Sequence, residues 1–190
     1  MKATGIVRRI DELGRVVIPK EIRRTLRIRE GDALEIYTDR EGGVILKKYS
    51  PIGEIGDFAK EYAESVHQSV GCIAVICDKD NIVAVAGAKR NQFPNTSIAI
   101  DKPIHPELEG VIDAREKLNL SSARGDNMMH ITSLDDEMLY TAELIVPILA
   151  SGDAIGAVIL LSKEPGATFG VTETKVAETA ASFMGKQLEN

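Results

Sequence analysis

The sequence has no tryptophan, few aromatic residues and only two cysteines among its 190 residues. Two cysteines are too few for the disulfide framework that stabilises small secreted domains. Cys72 and Cys77 lie five positions apart in an apolar run, so a strand would place them on opposite faces. We therefore expect two buried, unbonded thiols in a reducing compartment.

Long apolar runs are missing as well. None approaches the roughly 18 residues that suggest a membrane-spanning helix. No apolar signal segment follows the first residues. Together with 44% hydrophobic and 27% charged residues, this predicts a globular cytoplasmic protein with no membrane partner.

Motifs for catalysis and metal binding are not found either. His67, His105 and His130 are scattered along the chain, and no two of them have the spacing of metal ligands. There is no Gly-x-Ser-x-Gly turn, no phosphate-binding glycine loop and no Cys–His pair. The acidic run at 135–137 is interpreted as a solvated loop. We expect no catalytic residue, no metal and no cofactor, and hence a protein that is not an enzyme.

Charge is unevenly distributed along the chain. Residues 1–50 hold 12 Lys and Arg against 8 Asp and Glu, a net charge of +4, whereas the remainder carries −10. Seven arginines lie within residues 8–29. Their planar guanidinium groups suit phosphates and guanine edges, and such asymmetry hints at a nucleic-acid-binding segment. A solvated surface of ion pairs is the alternative, because acidic residues are interleaved with the arginines.

The chain is predicted to change domain near Ser50-Pro51, where Ser offers an N-cap and Pro a first helical residue. Residues 1–50 then form one domain, 51–71 a linking helix and 72–190 a second domain. Apolar residues from Ile55 to Val70 keep to one face at helical spacing and support that helix.

Residues 1–50 are predicted to form a small all-β unit. The expected elements are strands at 6–10, 16–18, 34–37 and 44–46, with one short helix after Pro19. We expect a core of Val16, Val17, Ile18 and Leu26. A unit this small normally needs disulfides, a metal or a partner chain, and only the partner is available here. The sequence therefore predicts a dimer.

Residues 72–190 are predicted to form an α+β domain with helices on one face of an antiparallel sheet. The expected strands are 72–77, 82–86, 140–149 and 154–162, with another near 128–132. A hairpin turn is expected at Ser151-Gly152-Asp153, a helix from Pro106 through Leu118, and a closing helix capped by Thr172.

The run Gly-Arg-Val-Val-Ile-Pro at 14–19, followed by Glu-Ile-Arg-Arg-Thr-Leu and later Asp-Ala-Leu-Glu-Ile-Tyr, resembles the AbrB-type swapped-hairpin family. The resemblance spans residues 2–49. In that family two chains exchange hairpins to make one barrel-like body, and arginines on one surface meet DNA. The resemblance implies double-stranded, A/T-rich DNA as the partner. The implied contact residues are Arg8, Arg15, Arg23 and Arg24, with Lys2 and Arg9 as additions.

The order of elements after residue 50, and residues 145–160 in particular, resemble a GAF domain. An AbrB-type head before a GAF-like body resembles regulators that activate and repress transcription during sporulation in endospore-forming bacteria. The helices at 55–70 and 172–189 could form a second interface, making a homotetramer.

Two questions stay open at this point. GAF domains often bind a small molecule, but the polar residues of the middle segment form no recognisable ligand site, and a domain that only dimerises is the alternative. Those residues are Asn95, Thr96, Ser97, Arg115 and Arg124. The alternative function is an antitoxin, although such proteins usually follow the head with a short disordered tail, not with about 140 residues of globular pattern.

Overall fold

The computed structural model describes residues 5–88, 99–133 and 140–189. The chain divides into two compact units, Met1–Tyr49 and Ser50–Asn190. Among the described residues, no helix has the length and apolar character needed to cross a bilayer.

The N-terminal unit contains one short helix and one hairpin. These are α1 (Lys20–Thr25), β1 (Leu34–Thr38) and β2 (Val44–Lys48), with β1 and β2 antiparallel from the pair Leu34–Lys48 to the pair Thr38–Val44. The turn between the strands is closed by Asp39, whose Oδ1 accepts hydrogen bonds from the Glu41 and Gly43 amides at 2.9 and 2.6 Å. This local closure fixes the hairpin register.

The strands predicted at 6–10 and 16–18 are not formed in the single chain. Strand geometry requires a neighbouring strand to accept and donate backbone hydrogen bonds. Among the described residues, the only paired strands of this unit are β1 and β2, which pair with each other. A turn at 30–31 leads into β1.

The C-terminal unit is built on a five-stranded antiparallel sheet. Its helices are α2 (Pro51–Glu54), α3 (Gly56–Val70), α4 (Pro106–Ala114) and α5 (Val171–Gln187). Its strands are β3 (Ile73–Asp78), β4 (Ile82–Ala86), β5 (Leu118–Ser121), β6 (Ala142–Ala150) and β7 (Asp153–Ser162). The strand order is β4-β3-β7-β6-β5.

The start of this unit is fastened to the sheet by Ser50. Its Oγ accepts a hydrogen bond from the Gly53 amide at 3.0 Å, which confirms the predicted N-cap. The same hydroxyl donates to Asp78 Oδ2 at 2.6 Å. Asp78 in turn closes the β3–β4 turn, because its Oδ1 accepts the amides of Asp80 and Asn81 at 2.7 and 2.6 Å. One carboxylate thus joins the first helix to the sheet.

Helices cover both faces of the sheet, which corrects the expectation of helices on one face. Ala74 and Ile76 of β3 point into a core shared with α3 and α5. Ile73, Val75 and Cys77 point into a second core shared with α4. β3 is buried along its whole length and is apolar on both faces from Ile73 to Cys77, so each face needs a covering layer.

Both cysteines are free, as expected, and they pack against opposite cores. Burial raises the pKa of the Cys72 thiol to about 11. Burial, together with the negative charge of the neighbouring Asp78 carboxylate, raises the pKa of the Cys77 thiol to about 12. Both groups are therefore neutral thiols at physiological pH.

Two predicted helix boundaries and one predicted strand of this unit were wrong. Helix α4 ends at Ala114, because Arg115 adopts the left-handed conformation (φ +59°), and Leu118 begins strand β5. The strand predicted near 128–132 is reduced to one bridge between Ile104 and Thr132. Helix α5 is capped from Gly170, not Thr172: Glu173 reaches back to accept the Gly170 amide at 2.8 Å.

The predicted hairpin between β6 and β7 is confirmed. Ser151 and Gly152 both have positive φ, +50° and +87°. This backbone twist matches that of paired strands, which is why such turns favour glycine. The hairpin forms the centre of the sheet with β3.

Candidate nucleic-acid interface

Arg15 is held in a closed loop built by Asp11. The Asp11 carboxylate accepts hydrogen bonds from the amides of Leu13 and Arg15 at 3.0 and 2.8 Å, and from Arg15 Nε at 2.8 Å. The Asp11 amide also donates to the Arg15 carbonyl at 3.1 Å. These Arg15 bonds, the backbone one first, lower the pKa of Asp11. The Arg15 side chain is oriented by this ion pair and remains 71% exposed.

Helix α1 presents a second group of basic residues. Arg24 is exposed and lies one turn after Lys20, so both lie on one face, where they line a shallow cavity of about 260 Å³ with Glu21 and Thr25. Arg23 is half-buried, and its buried Nε has no hydrogen-bond partner in the part of the chain that the structure describes. An unpaired buried N–H of this kind is costly, which makes Arg23 a candidate for contact with another molecule.

Arg8 and Arg9 are exposed neighbours in the segment before the Asp11 loop. The one hydrogen bond of the Arg8 guanidinium within the described ranges runs to the Val7 carbonyl at 3.4 Å. Lys2 lies outside the described residues. Within 5–49, no carboxylate forms an ion pair with Arg8, Arg9, Arg23 or Arg24. The alternative interpretation, a surface of ion pairs, therefore describes Arg15 but not these four arginines.

Lys48 stabilises the N-terminal unit through an ion pair with Asp32. Its Nζ lies 3.1 Å from Asp32 Oδ2 and donates to the Arg27 carbonyl at 3.3 Å. The same Asp32 oxygen accepts the Arg29 amide at 2.7 Å. Burial raises the pKa of Asp32, but the Arg29 and Lys48 bonds outweigh it, and the net shift is downward. This cluster, which the sequence analysis missed, fixes the chain between α1 and β1.

The apolar residues of the N-terminal unit lie on its surface. None of residues 5–49 is buried in the single chain. Val16, Val17 and Leu26, which were expected in the core, are 50%, 72% and 56% exposed, and Ile18 is half-buried. That expectation fails for the isolated chain because one helix and one hairpin offer nothing to cover these side chains.

The polar candidates of the C-terminal unit do not converge on a site. Arg124 binds Asp126 and Asn119 at 3.1 and 3.2 Å and so braces the chain after β5. Arg115 lies 3.5 Å from Asp153. The candidates at 95–97 and the acidic run at 135–137 fall outside the described residues.

The fold brings two of the scattered histidines together, contrary to expectation. The His105 and His130 rings lie 5.1 Å apart between centroids, and Glu107 is adjacent. His67 is elsewhere: its Nδ1 lies 2.6 Å from the Cys72 carbonyl oxygen.

Comparison with known proteins gives matches to both units. The family described as "Stage V sporulation protein T C-terminal, transcription factor" matches residues 54–189. The family described as "Antidote-toxin recognition MazE, bacterial antitoxin" matches residues 7–54.

Individual relatives agree with these families. Stage V sporulation protein T of Bacillus subtilis (strain 168) is 52% identical over 190 residues, which is all of this chain and 99% of that protein. Transition state regulatory protein AbrB of the same organism is 64% identical over 63 residues, covering 30% of this chain and 65% of that protein.

Among solved structures, the GAF domain of an Acinetobacter phosphoenolpyruvate-protein phosphotransferase matches with a TM-score of 0.55. It is 14% identical and covers 75% of this chain and 84% of that domain. At this identity the likeness establishes the fold alone. The C-terminal unit has the GAF fold.

Proposed function

Because the chain belongs to the stage V sporulation protein T family of transcription factors, we propose that it regulates sporulation genes by binding promoter DNA through its N-terminal unit. It activates some promoters and represses others, and it works without catalysis. The observation that carries this proposal is that Arg8, Arg9 and Arg24 are exposed and form no ion pair with a carboxylate among residues 5–49. Cations that are not neutralised by the protein itself remain able to neutralise phosphates.

The DNA contacts are assigned to Arg8, Arg15, Arg23 and Arg24, with Lys2 and Arg9 beside them. Arg15 is the best positioned, because Asp11 fixes its guanidinium while leaving the side chain in solvent. Preorganised arginines lose less conformational freedom on binding and give bidentate contacts to phosphate. We propose A/T-rich duplexes as targets, since contacts to the backbone favour DNA that deforms easily.

A second copy of the chain completes the N-terminal unit. In the single chain, none of the residues 5–49 is buried. Among the apolar residues of this range, more than half of the surface is exposed for Val7, Ile10, Val17 and Leu26. Such a surface is unstable in water unless it is covered. The segments 6–10 and 16–18, which form no strand in the single chain, carry most of this apolar surface. Pairing them with the same segments of a second chain supplies both strand hydrogen bonds and a core.

The C-terminal unit supplies a second interface, which makes a tetramer. Phe58 and Tyr62 of α3 and Phe183 of α5 form a cluster with ring centroids 5.7–5.8 Å apart. Phe183 is nevertheless exposed. Three aromatic rings in mutual contact on neighbouring helices form an apolar patch of the kind that anchors interfaces. A second copy of the same surface is the proposed occupant, and native mass measurement of Phe183→Ala should detect dimers in place of tetramers.

A metabolite could in addition regulate assembly through the GAF fold. Glu143 of β6 is fully buried on the α4 side of the sheet, where its Oε2 accepts the Met129 amide at 2.9 Å. A buried carboxylate is suited to fix the orientation of a polar ligand in a pocket. Ligands that bind only the folded protein raise its melting temperature, so a metabolite panel without any thermal shift would contradict this part of the proposal.

The salt dependence of DNA affinity tests the main proposal. The plot of log K against log salt falls with a slope of about −0.9 per neutralised phosphate. In a dimer, Arg15→Ala or Arg24→Ala removes two cations, so we expect the slope to become shallower by about 1.8. Arg40→Ala makes the same charge change at the exposed hairpin turn and should leave the slope unchanged. Equal slopes for all three variants would rule out the arginine assignment.

The MazE-type match to residues 7–54 favours a second candidate function, an antitoxin. This candidate requires a toxin that copurifies with the chain. Residues 54–189 match the family of a transcription factor, so we expect no such toxin to copurify.

A further inference from the structure

His105, Glu107 and His130 bring their ligand atoms together on the C-terminal unit. One imidazole nitrogen from each histidine and one Glu107 carboxylate oxygen all lie within 4.8 Å of one another. His105 Nδ1 and Glu107 Oε2 are 3.7 Å apart. We infer that these three side chains bind one divalent transition-metal ion, with Zn²⁺ as the first choice. This inference does not depend on the proposed function.

The backbone on both sides of the cluster is fixed. The His105 amide donates to the Ile131 carbonyl at 3.0 Å, and the Ser133 amide donates to the Pro103 carbonyl at 3.1 Å. These bonds flank the bridge between Ile104 and Thr132. The two histidines are therefore held next to each other by backbone pairing, although they are 25 positions apart in the sequence.

The cluster also rests on a rigid base. Ile104 and Ile131, which adjoin the two histidines, are buried, as is Leu108 of the first turns of α4. Pro106 fixes the backbone between His105 and Glu107 at the start of the helix. A metal ion therefore needs to reorganise side-chain torsions only, which keeps the entropic cost of binding low.

The donor set selects the class of metal. Two imidazoles and one carboxylate suit Zn²⁺ and neighbouring first-row ions, whereas Mg²⁺ and Ca²⁺ favour oxygen ligands throughout. Bond lengths of about 2.0–2.2 Å and tetrahedral angles put ligand atoms roughly 3.3 Å apart. The His105 Nδ1–Glu107 Oε2 distance is 3.7 Å and every other pair lies within 4.8 Å, so side-chain rotations have to bring the ligand atoms closer. Three protein ligands leave a fourth position for water or an external ligand.

Coordination has one local cost. His105 Nδ1 accepts the Glu107 amide at 3.3 Å and so caps α4. This is a long hydrogen bond, so its replacement by a metal–nitrogen bond sacrifices little. The ion would tie the segment around residue 130 to the first turn of α4 and so stabilise the folded unit.

Metal titration of the tag-free full chain tests the inference. After removal of metals with a chelator, equilibrium dialysis against Zn²⁺ should load one ion per protomer, and the melting temperature should rise with Zn²⁺ concentration. Loss of an outer partner of a metal ligand typically weakens binding 10–100-fold. His130 and Glu107 are proposed to bind the ion directly, so their loss should cost more than the loss of an outer partner. We therefore expect His130→Gln and Glu107→Gln to weaken Zn²⁺ binding by at least about 100-fold.

The control is His67→Gln, which removes the remaining histidine of the chain and should leave the Zn²⁺ stoichiometry and affinity unchanged. Proton NMR of the unmodified chain with Co²⁺ gives a test that needs no variant. The ring signals of His105 and His130 should broaden together at one equivalent, while those of His67 stay sharp. Binding that survives His130→Gln, or broadening that spares either His105 or His130, would overturn the inference.

Discussion

Val17→Ala measures whether the exposed apolar surface of the N-terminal unit is buried between two chains. The substitution removes two methylene-sized groups, each worth about 0.8 kcal/mol when buried. Two chains contribute one site each, giving about 3.2 kcal/mol per dimer. Because 72% of Val17 is exposed in the single chain, that fraction remains to be covered on association. The dimer should then lose about 2.3 kcal/mol, a roughly 50-fold rise in dissociation constant.

Val171→Ala is the matched control. Val171 begins α5 in the C-terminal unit and is 79% exposed, so the same deletion should shift association by no more than about twofold, as for ordinary surface positions. Sedimentation equilibrium of the full chain, with its two association steps fitted separately, measures both variants. If Val17→Ala behaves like Val171→Ala, Val17 stays in solvent and the argument for a shared core fails.

Four further results are expected from the C-terminal unit. Hydrogen bonds from Lys117 and Lys175 lower the pKa of Glu178 to about 2. The stabilisation from these bonds is present above pH 4.5 and is lost as the pH falls towards 2. The free energy of unfolding of Glu178→Gln should therefore lack this loss of stability between pH 4.5 and 2. Gly185→Ala would place a Cβ 2.0 Å from the Leu149 carbonyl oxygen and should destabilise the protein by about 2–3 kcal/mol in urea unfolding. Gly110→Ala in α4 meets no atom within 4 Å and should instead stabilise by about 0.5–1 kcal/mol. Neither the partly buried Cys72 nor the buried Cys77, with pKa values of about 11 and 12, should react rapidly with a disulfide reagent in the native protein at mildly alkaline pH. Rapid labelling of one thiol per chain would contradict the neutral state.

Local signals predicted the elements that local chemistry determines. Ser50 before Pro51 predicted the start of a helix, and Ser151-Gly152 predicted the turn of the β6–β7 hairpin. Both features depend only on residues within one turn of the chain. Strand β5 was missed because its four residues, Leu-Asn-Leu-Ser, follow a helix without a glycine or proline to mark the change. Arg115 ends that helix in a left-handed conformation that no sequence rule assigns to arginine.

The remaining errors concern contacts that are distant in sequence. A helical pattern does not say which face of a sheet the helix will cover, so the position of α4 could not be predicted. His105 and His130 meet only because an isolated bridge pairs their neighbours. Charge counting identified the arginine-rich segment, but only the structure separates Arg15, which Asp11 orients in solvent, from Lys48, which holds the chain after α1.

The double role of Ser50 has a practical consequence for dissecting the protein into fragments. A C-terminal fragment that starts at Ser50 keeps the N-cap of α2 and the bond to Asp78. One that starts at Pro51 loses both with a single residue and leaves the Asp78 carboxylate without one of its donors. The shorter fragment should fray at its first helix and exchange its β3–β4 turn amides faster, so a one-residue difference in the cloning boundary would be mistaken for a property of the domain.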